Sequence, residues 1–283
     1  MADNLTLALY GLHRGSSAEP DTLVRRAKLA EAAGFGALWV GDHIALPITE
    51  DGDPADQPRL EAVVTLAHLA AATTTIGLGF GVLVLPQRQP VLLAKQLTSI
   101  DVLSKGRLTV GIGVGWIEPE LTALGAGLSD RAARTDEYLS AMRLLWDEPT
   151  PSFAGSYVSF ADVIQRPRPV QRPHPPIVVG GHSRRSYQRA VESGNGWYGW
   201  DLDLDATAAS LALLREAGSR FERPASLGEL EVTITPPGTP DLDTVRRYAE
   251  LGVRRLVLQP HTMDGTAIED LINTVGDTLI GRI

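Results

Sequence analysis

The stretch Glu31-Ala32-Ala33-Gly34-Phe35-Gly36-Ala37-Leu38-Trp39-Val40 decides the fold. A glycine closes a helical segment, and a short uninterrupted apolar run begins within a few residues. Glycine accepts the left-handed conformation that ends a helix, so the pattern reads as helix stop, then strand. It recurs outward along the chain. Ser104-Lys105-Gly106 precedes Arg107 to Ile112, Glu192-Ser193-Gly194-Asn195-Gly196 precedes Trp197 to Trp200, and Glu250-Leu251-Gly252 precedes Val253 to Gln259. Continuous apolar strands, rather than alternating ones, imply burial on both faces, as in a parallel sheet covered by helices.

Eight such runs begin near Leu5, Ala37, Ile76, Leu108, Ile177, Trp197, Leu230 and Arg255. The segments between them look helical: Leu93, Leu97 and Ile100 share one stripe, as do Tyr138, Met142 and Leu145. Pro20, Pro90 and Pro240 stand at expected helix starts, where a missing N–H is harmless. Eight βα units predict a (β/α)8 TIM barrel, an α/β fold, rather than an open doubly wound sheet. No G-x-G-x-x-G follows the first strand to support that rival. Barrels of this kind occupy ~250 residues as one unit, so residues 1–283 read as a single domain. One gap exceeds a simple unit: about 148–175, between the fourth helix and the fifth strand, is an insertion rich in proline and arginine. Phe153 to Phe160 inside it reads as a small hairpin, and such insertions shape a site's mouth or an interface.

Composition narrows the function classes. The chain carries 34 acidic against 26 basic residues, a net charge of −8, and no cysteine. Disulfides, thiolate metal sites and a thiol nucleophile are excluded. The basic clusters are short, which argues against nucleic acid as a partner. No apolar run approaches the ~20 residues of a membrane span, and Met1-Ala2-Asp3-Asn4 does not open a signal peptide. A soluble cytoplasmic protein with no membrane partner is expected.

In a parallel barrel, chemistry collects at the C-terminal ends of the strands. The second strand ends in Gly41-Asp42-His43. An imidazole there exchanges protons near neutral pH, and the neighbouring acid would orient it; equally, Asp42 reads as a helix cap beside a loop histidine. The third strand runs through Gly77-Leu78-Gly79-Phe80-Gly81-Val82-Leu83, a glycine spacing that suggests a bulge or a close approach of ligand to backbone. The fourth ends in Gly111-Ile112-Gly113-Val114-Gly115-Trp116, where glycine serves a ligand or relieves crowding inside the barrel. The fifth ends in Val178-Val179-Gly180-Gly181-His182-Ser183 and opens a helix; free N–H groups, the helix dipole and a hydroxyl favour phosphate over a plain cap. His182 reads equally well as a solvent-facing cap residue. His13, His68 and His261 stand singly, without the His-x-His of barrel metallohydrolases, so no metal is expected. No Gly-x-Ser-x-Gly elbow is present.

Several blocks carry a resemblance: Gly36 to His43, Pro86 to Gln96, and Ser99 to Leu108 continuing into Gly111 to Trp116. They resemble the bacterial luciferase-like (LLM) superfamily. Asp42-His43 and Pro176-Ile177-Val178-Val179-Gly180-Gly181 are similar to its deazaflavin (coenzyme F420)-dependent oxidoreductases. The resemblance implies a barrel that binds F420 across its strand ends and moves a hydride to or from a small-molecule substrate, as a homodimer. It places His43 beside the ring as the catalytic residue, and His43 and Asp42 among the residues that bind the cofactor. A bulge with a non-proline cis peptide at Gly81-Val82 would back the ring. Gly113, Val114 and Gly115 would line the cofactor, and Val179, Gly180, Gly181, His182 and Ser183 would hold its phosphate. Trp116 and Pro119 stand where the superfamily's sugar-phosphate dehydrogenases carry glutamate and asparagine, which argues against a glucose-6-phosphate-type substrate. Phe80, in place of a commoner threonine, is expected to narrow the pocket. Two other readings remain: an FMN-dependent monooxygenase served by a partner reductase, and a non-catalytic cofactor-binding barrel, the latter because no strong acid stands obviously opposite His43.

Overall fold

The computed structural model describes residues 5–48, 57–263 and 265–283. Its strands are β1 (Thr6–Tyr10), β2 (Ala37–Val40), β3 (Gly77–Phe80), β4 (Leu83–Val84), β5 (Leu108–Gly113), β6 (Phe153–Ala154), β7 (Ser159–Phe160), β8 (Ile177–Gly180), β9 (Gly196–Gly199), β10 (Glu231–Ile234) and β11 (Arg255–Leu258). Hydrogen bonding runs β3-β2-β1-β11-β10-β9-β8-β5, and a β3–β5 pairing closes the ring. All these pairs are parallel, so eight strands make a closed barrel. The eight expected starts fall within one residue of the observed ones.

Helices α1 (Pro20–Ala33), α2 (Ala62–Ala72), α3 (Pro90–Leu103), α4 (Glu118–Ala123), α5 (Arg131–Asp147), α6 (Arg184–Ser193), α7 (Leu204–Arg220), α8 (Leu242–Glu250) and α9 (Ala267–Thr278) fill the connections. Pro20 and Pro90 open their helices, and Gly34 ends α1 at φ 93°. Pro240 instead lies one residue before Asp241, whose carboxylate caps α8 by accepting the Thr244 N–H. The fourth helical segment is two helices, α4 and α5, parted around Gly125.

Side chains alternate across the barrel wall. Leu7, Leu9, Leu38, Val40, Leu78, Phe80, Val110, Ile112, Ile177 and Val179 belong to one large core that packs the barrel against its helices. Ala8, Tyr10, Ala37, Trp39, Val178, Tyr198 and Val257 form a second, inner cluster, with Val82 packed on it. Phe80 thus sits on the outer face and does not narrow a pocket, contrary to expectation. Its position is even with Leu78, and side chains two apart share a face.

The inner cluster explains most of the strand glycines. A Cβ at Gly79 would lie 2.5 Å from the Trp39 indole nitrogen, and one at Gly111 only 1.8 Å from the Phe80 carbonyl oxygen. Cβ atoms at Gly113 and Gly180 would come 2.6 and 2.8 Å from the Val82 methyls. The register shows why: Gly79 faces Thr109 and Leu83 faces Ile112, so the third strand fits four steps against three. That extra residue is a bulge over Phe80–Val82 which presses carbonyl and side chain into β5 and β8.

The insertion contains the expected antiparallel hairpin, β6 with β7. It is tied to α3, where Gln165 donates to the Val91 carbonyl at 2.7 Å and Asp101 accepts the Val170 N–H at 2.6 Å. Arg107, from the Ser99–Leu108 block, is a structural pin: its guanidinium donates to the carbonyls of Ala70, Thr73, Ile76 and Ser104.

Candidate functional site

His43 follows β2 at the C-terminal mouth of the barrel. Its Nδ1 lies 3.0 Å from Glu120 Oε2, with the histidine side chain 28% exposed and the glutamate 3%. The other carboxylate oxygen accepts the N–H groups of Ile44 at 2.6 Å and Ala45 at 3.2 Å. Burial pushes the Glu120 carboxyl up, but the His43 hydrogen bond and the two backbone donors outweigh it and hold the group below its ordinary value. An ionised Glu120 accepts only, so Nδ1 carries the proton. Nε2 then has no hydrogen-bond partner among the described residues. The acid opposite His43 exists, therefore, and it is Glu120. Its signal was Glu118-Pro119-Glu120 opening a helix just past the fourth strand; sequence alone does not say which of the two glutamates turns inward.

Asp42 caps no helix. Its carboxylate is buried, accepts the Val84 N–H at 3.0 Å, and takes the Arg88 guanidinium in a fork at 2.8 and 2.5 Å. Arg88 also reaches Glu61 at 2.6 Å. Although burial disfavours its charge, these two carboxylates raise the Arg88 pKa. Asp42 thus bolts β2 to β4 and fixes where His43 leaves the strand. It does not touch the imidazole's polar atoms.

The peptide between Gly81 and Val82 is cis, as the resemblance implies. Both residues are half-buried at the mouth, as are Val114 and Gly115. Gly113 is buried against Val82, and the Val179 side chain lies in the outer core. At the end of β8, Gly181 has φ 119° and its N–H reaches the Tyr198 carbonyl at 3.3 Å. Ser183 is the N-cap of α6, its hydroxyl accepting the Ser186 N–H at 3.1 Å. His182 Nε2 accepts the Trp200 N–H at 3.0 Å, which leaves the proton on Nδ1, and burial lowers its pKa. The N–H groups of Arg184 and Arg185, in the first turn of α6, have no acceptor within the helix. Gly181, His182 and Ser183 are exposed, so a ligand can reach this helix start.

Sequence reasoning also passed over Tyr10, His13 and Trp200. Tyr10 ends β1 and meets His13 and Trp200 edge-on, at 5.6 and 5.2 Å between ring centroids. His13 is buried, and neither ring nitrogen has a hydrogen-bond partner among the described residues. Burial, with the charges of Arg14, Arg59 and His43, lowers its pKa to about 3, so it is neutral. Among the described residues no three histidine or carboxylate side chains cluster as metal ligands. No described helix is long and apolar enough to cross a membrane.

A closed parallel barrel with a histidine–carboxylate pair at its mouth defines the class, an α/β barrel that presents titratable side chains at its strand ends. The chain belongs to the luciferase-like monooxygenase family, whose model matches residues 5–257. An uncharacterised protein of Mycobacterium tuberculosis (strain ATCC 25618 / H37Rv) is 32% identical over 262 residues, 88% of this chain and 90% of that one. The FMNH(2)-dependent dimethylsulfone monooxygenase of Pseudomonas putida is 36% identical over 139 residues, 48% of this chain and 38% of its own. Among solved structures, an F420-dependent secondary alcohol dehydrogenase in complex with an F420–acetone adduct superposes with a TM-score of 0.78 at 16% identity, covering 98% of both chains. At that identity the likeness speaks for the fold.

Proposed function

We propose that this protein is an F420-dependent oxidoreductase that moves a hydride between the deazaflavin and a small organic substrate. The observation that carries the reading is the His43–Glu120 pair, with Nε2 unbonded among the described residues, at the barrel mouth that also carries the Gly81–Val82 bulge. F420, when bound, supplies hydride chemistry at its C5. The chain supplies orientation and a proton. His43 gives or takes that proton at Nε2 while its Nδ1–H stays hydrogen-bonded to Glu120. Asp42 and Arg88 hold the strand end in place. The residues present fit such a cofactor: Gly81, Val82, Val114 and Gly115 form a half-buried wall for a flat ring, and the open start of α6 suits its phosphate. Titrating the protein with F420 and following its fluorescence tests the reading, which saturable binding supports.

The likeness to an enzyme named for FMNH(2) dependence favours a second reading, an FMN-dependent monooxygenase that receives reduced flavin from a separate reductase. Glu120 removes the ground for a non-catalytic barrel. We further propose a homodimer. Val163 and Ile164 of the insertion and Leu92 of α3 are exposed apolar side chains around the Gln165–Val91 hydrogen bond. Light scattering should give twice the chain mass of 30.3 kDa, and a monomer would contradict it.

A further inference from the structure

Among the described residues, two arginines at the mouth make no ion pair with an acid. Arg14 and Arg59 oppose each other in an isolated antiparallel bridge, supported by Leu60 N–H to His13 carbonyl at 2.8 Å and Gly15 N–H to Pro58 carbonyl at 2.9 Å. Directly opposed residues project their side chains to the same side, and like charges so placed repel. Neither guanidinium has a carboxylate partner among the described residues, and the Nε of each is buried without a hydrogen bond. Glu120, whose field reaches Arg59, is already committed to His43 and two backbone N–H groups. Arg14 lies over the Tyr10 ring, 5.5 Å from its centroid. It also lines a cavity of about 780 Å³ with Gln57, Trp200, Gln259 and His261. Asp270, on the same cavity, is hydrogen-bonded by Thr266. A chain of net charge −8 thus keeps two adjacent cations with no carboxylate partner among the described residues, one of them on this cavity, at the end of the barrel that carries His43.

We propose that Arg14 and Arg59 recognise the oxyanion of an anionic organic substrate, a carboxylate or a phosphate, whose body lies in the cavity against Trp200. Paired guanidinium forks match the geometry of such groups, and an anion between them cancels the repulsion that the empty pair carries. The buried, neutral His13 beside Arg14 offers a further unused nitrogen at the same place. This deepens the oxidoreductase reading by naming its substrate class. It also explains why these arginines have no carboxylate partner among the described residues: a resident carboxylate would fill the place of the substrate's own.

Calorimetric titration of the whole protein, at constant ionic strength, with benzoate, inorganic phosphate and the neutral benzamide tests the proposal without any cofactor. Benzoate or phosphate should bind saturably and benzamide should not. R14Q and R59Q should each weaken the anion at least tenfold, while R59Q, relieved of repulsion, melts no lower than wild type without ligand. A purely structural arginine would instead lower the melting temperature and leave the anion untouched. Anion binding that is absent in wild type, or as tight in both variants as in wild type, overturns the proposal. Failure to bind F420 or FMN would sink the oxidoreductase reading and leave the anion result readable on its own.

Discussion

Replacing Glu120 by glutamine asks how much of the chemistry at His43 depends on a charge behind the ring. The carboxylate serves three donors: His43 Nδ1 at 3.0 Å and the N–H groups of Ile44 and Ala45. A glutamine oxygen can keep both backbone bonds, so the loop stays in place. What is lost is the charged acceptor on Nδ1, and the amide N–H₂ presented there would turn the imidazole's proton to Nε2. A hydrogen bond to a charged group is worth roughly 1.5–3 kcal/mol, and with 1.36 kcal/mol per tenfold in rate, turnover should fall about 10- to 150-fold. Affinity for the cofactor should stay within about twofold, because Glu120 faces His43 and the loop rather than the half-buried wall. Stopped-flow absorbance of F420 reduction or oxidation reads the rate, and fluorescence titration reads the affinity. Glu120→Asp should recover part of the rate, since it keeps the charge. Wild-type turnover in Glu120→Gln, with the cofactor bound, would refute the reasoning.

His43→Ala should reduce turnover ~100-fold or more while F420 still binds, as removal of a general acid–base does; unchanged single-turnover rates would end that role. Gly181→Val should weaken cofactor binding more than it lowers the urea midpoint, although φ 119° also strains the new side chain. Equal affinity in a folded variant would count against a phosphate at the start of α6. Glu31 accepts the N–H groups of Thr74, Thr75 and Ile76 on one oxygen, and although desolvation opposes it, these bonds lower its pKa to about 2 from 4.5. A carboxyl depressed on folding stabilises above its unfolded value and loses that contribution as pH falls through the folded one. Wild-type stability should therefore decline between pH 4.5 and 2, and Glu31→Gln should decline less steeply over that window by chemical denaturation; parallel curves would exclude the linkage.

The barrel was legible because its signal is local and repeated: eight short apolar runs, four of them following a glycine that stops a helix. Boundaries held because such strands are buried on both faces and carry few polar residues, Thr109 and Thr233 among them. The reading of the glycines was less complete. Gly79, Gly111, Gly113 and Gly180 looked like places where a ligand nears the backbone, yet each is required by Trp39, Phe80 or Val82 pressing from a neighbouring strand. Those neighbours are 30 to 100 residues away in the chain, so no spacing rule reveals them. Asp42-His43 was visible as a charged pair after a strand, but the two side chains part company: one turns to Arg88 and the other to Glu120. Adjacent residues at a strand end point to opposite sides, and their partners come from different βα units. For the same reason Glu120 escaped notice, and Phe80 was assigned to the wrong face by comparison rather than by its even spacing from Leu78.

The central claim is that the mouth of this barrel is built for a deazaflavin, with His43 as its proton partner. Side-by-side fluorescence titration with F420 and FMN, on wild type and His43→Ala, tests it most directly. The account predicts saturable F420 binding tighter than that of FMN, kept in the variant, with substrate-linked turnover lost there. FMN binding alone, or neither cofactor binding at all, would contradict it.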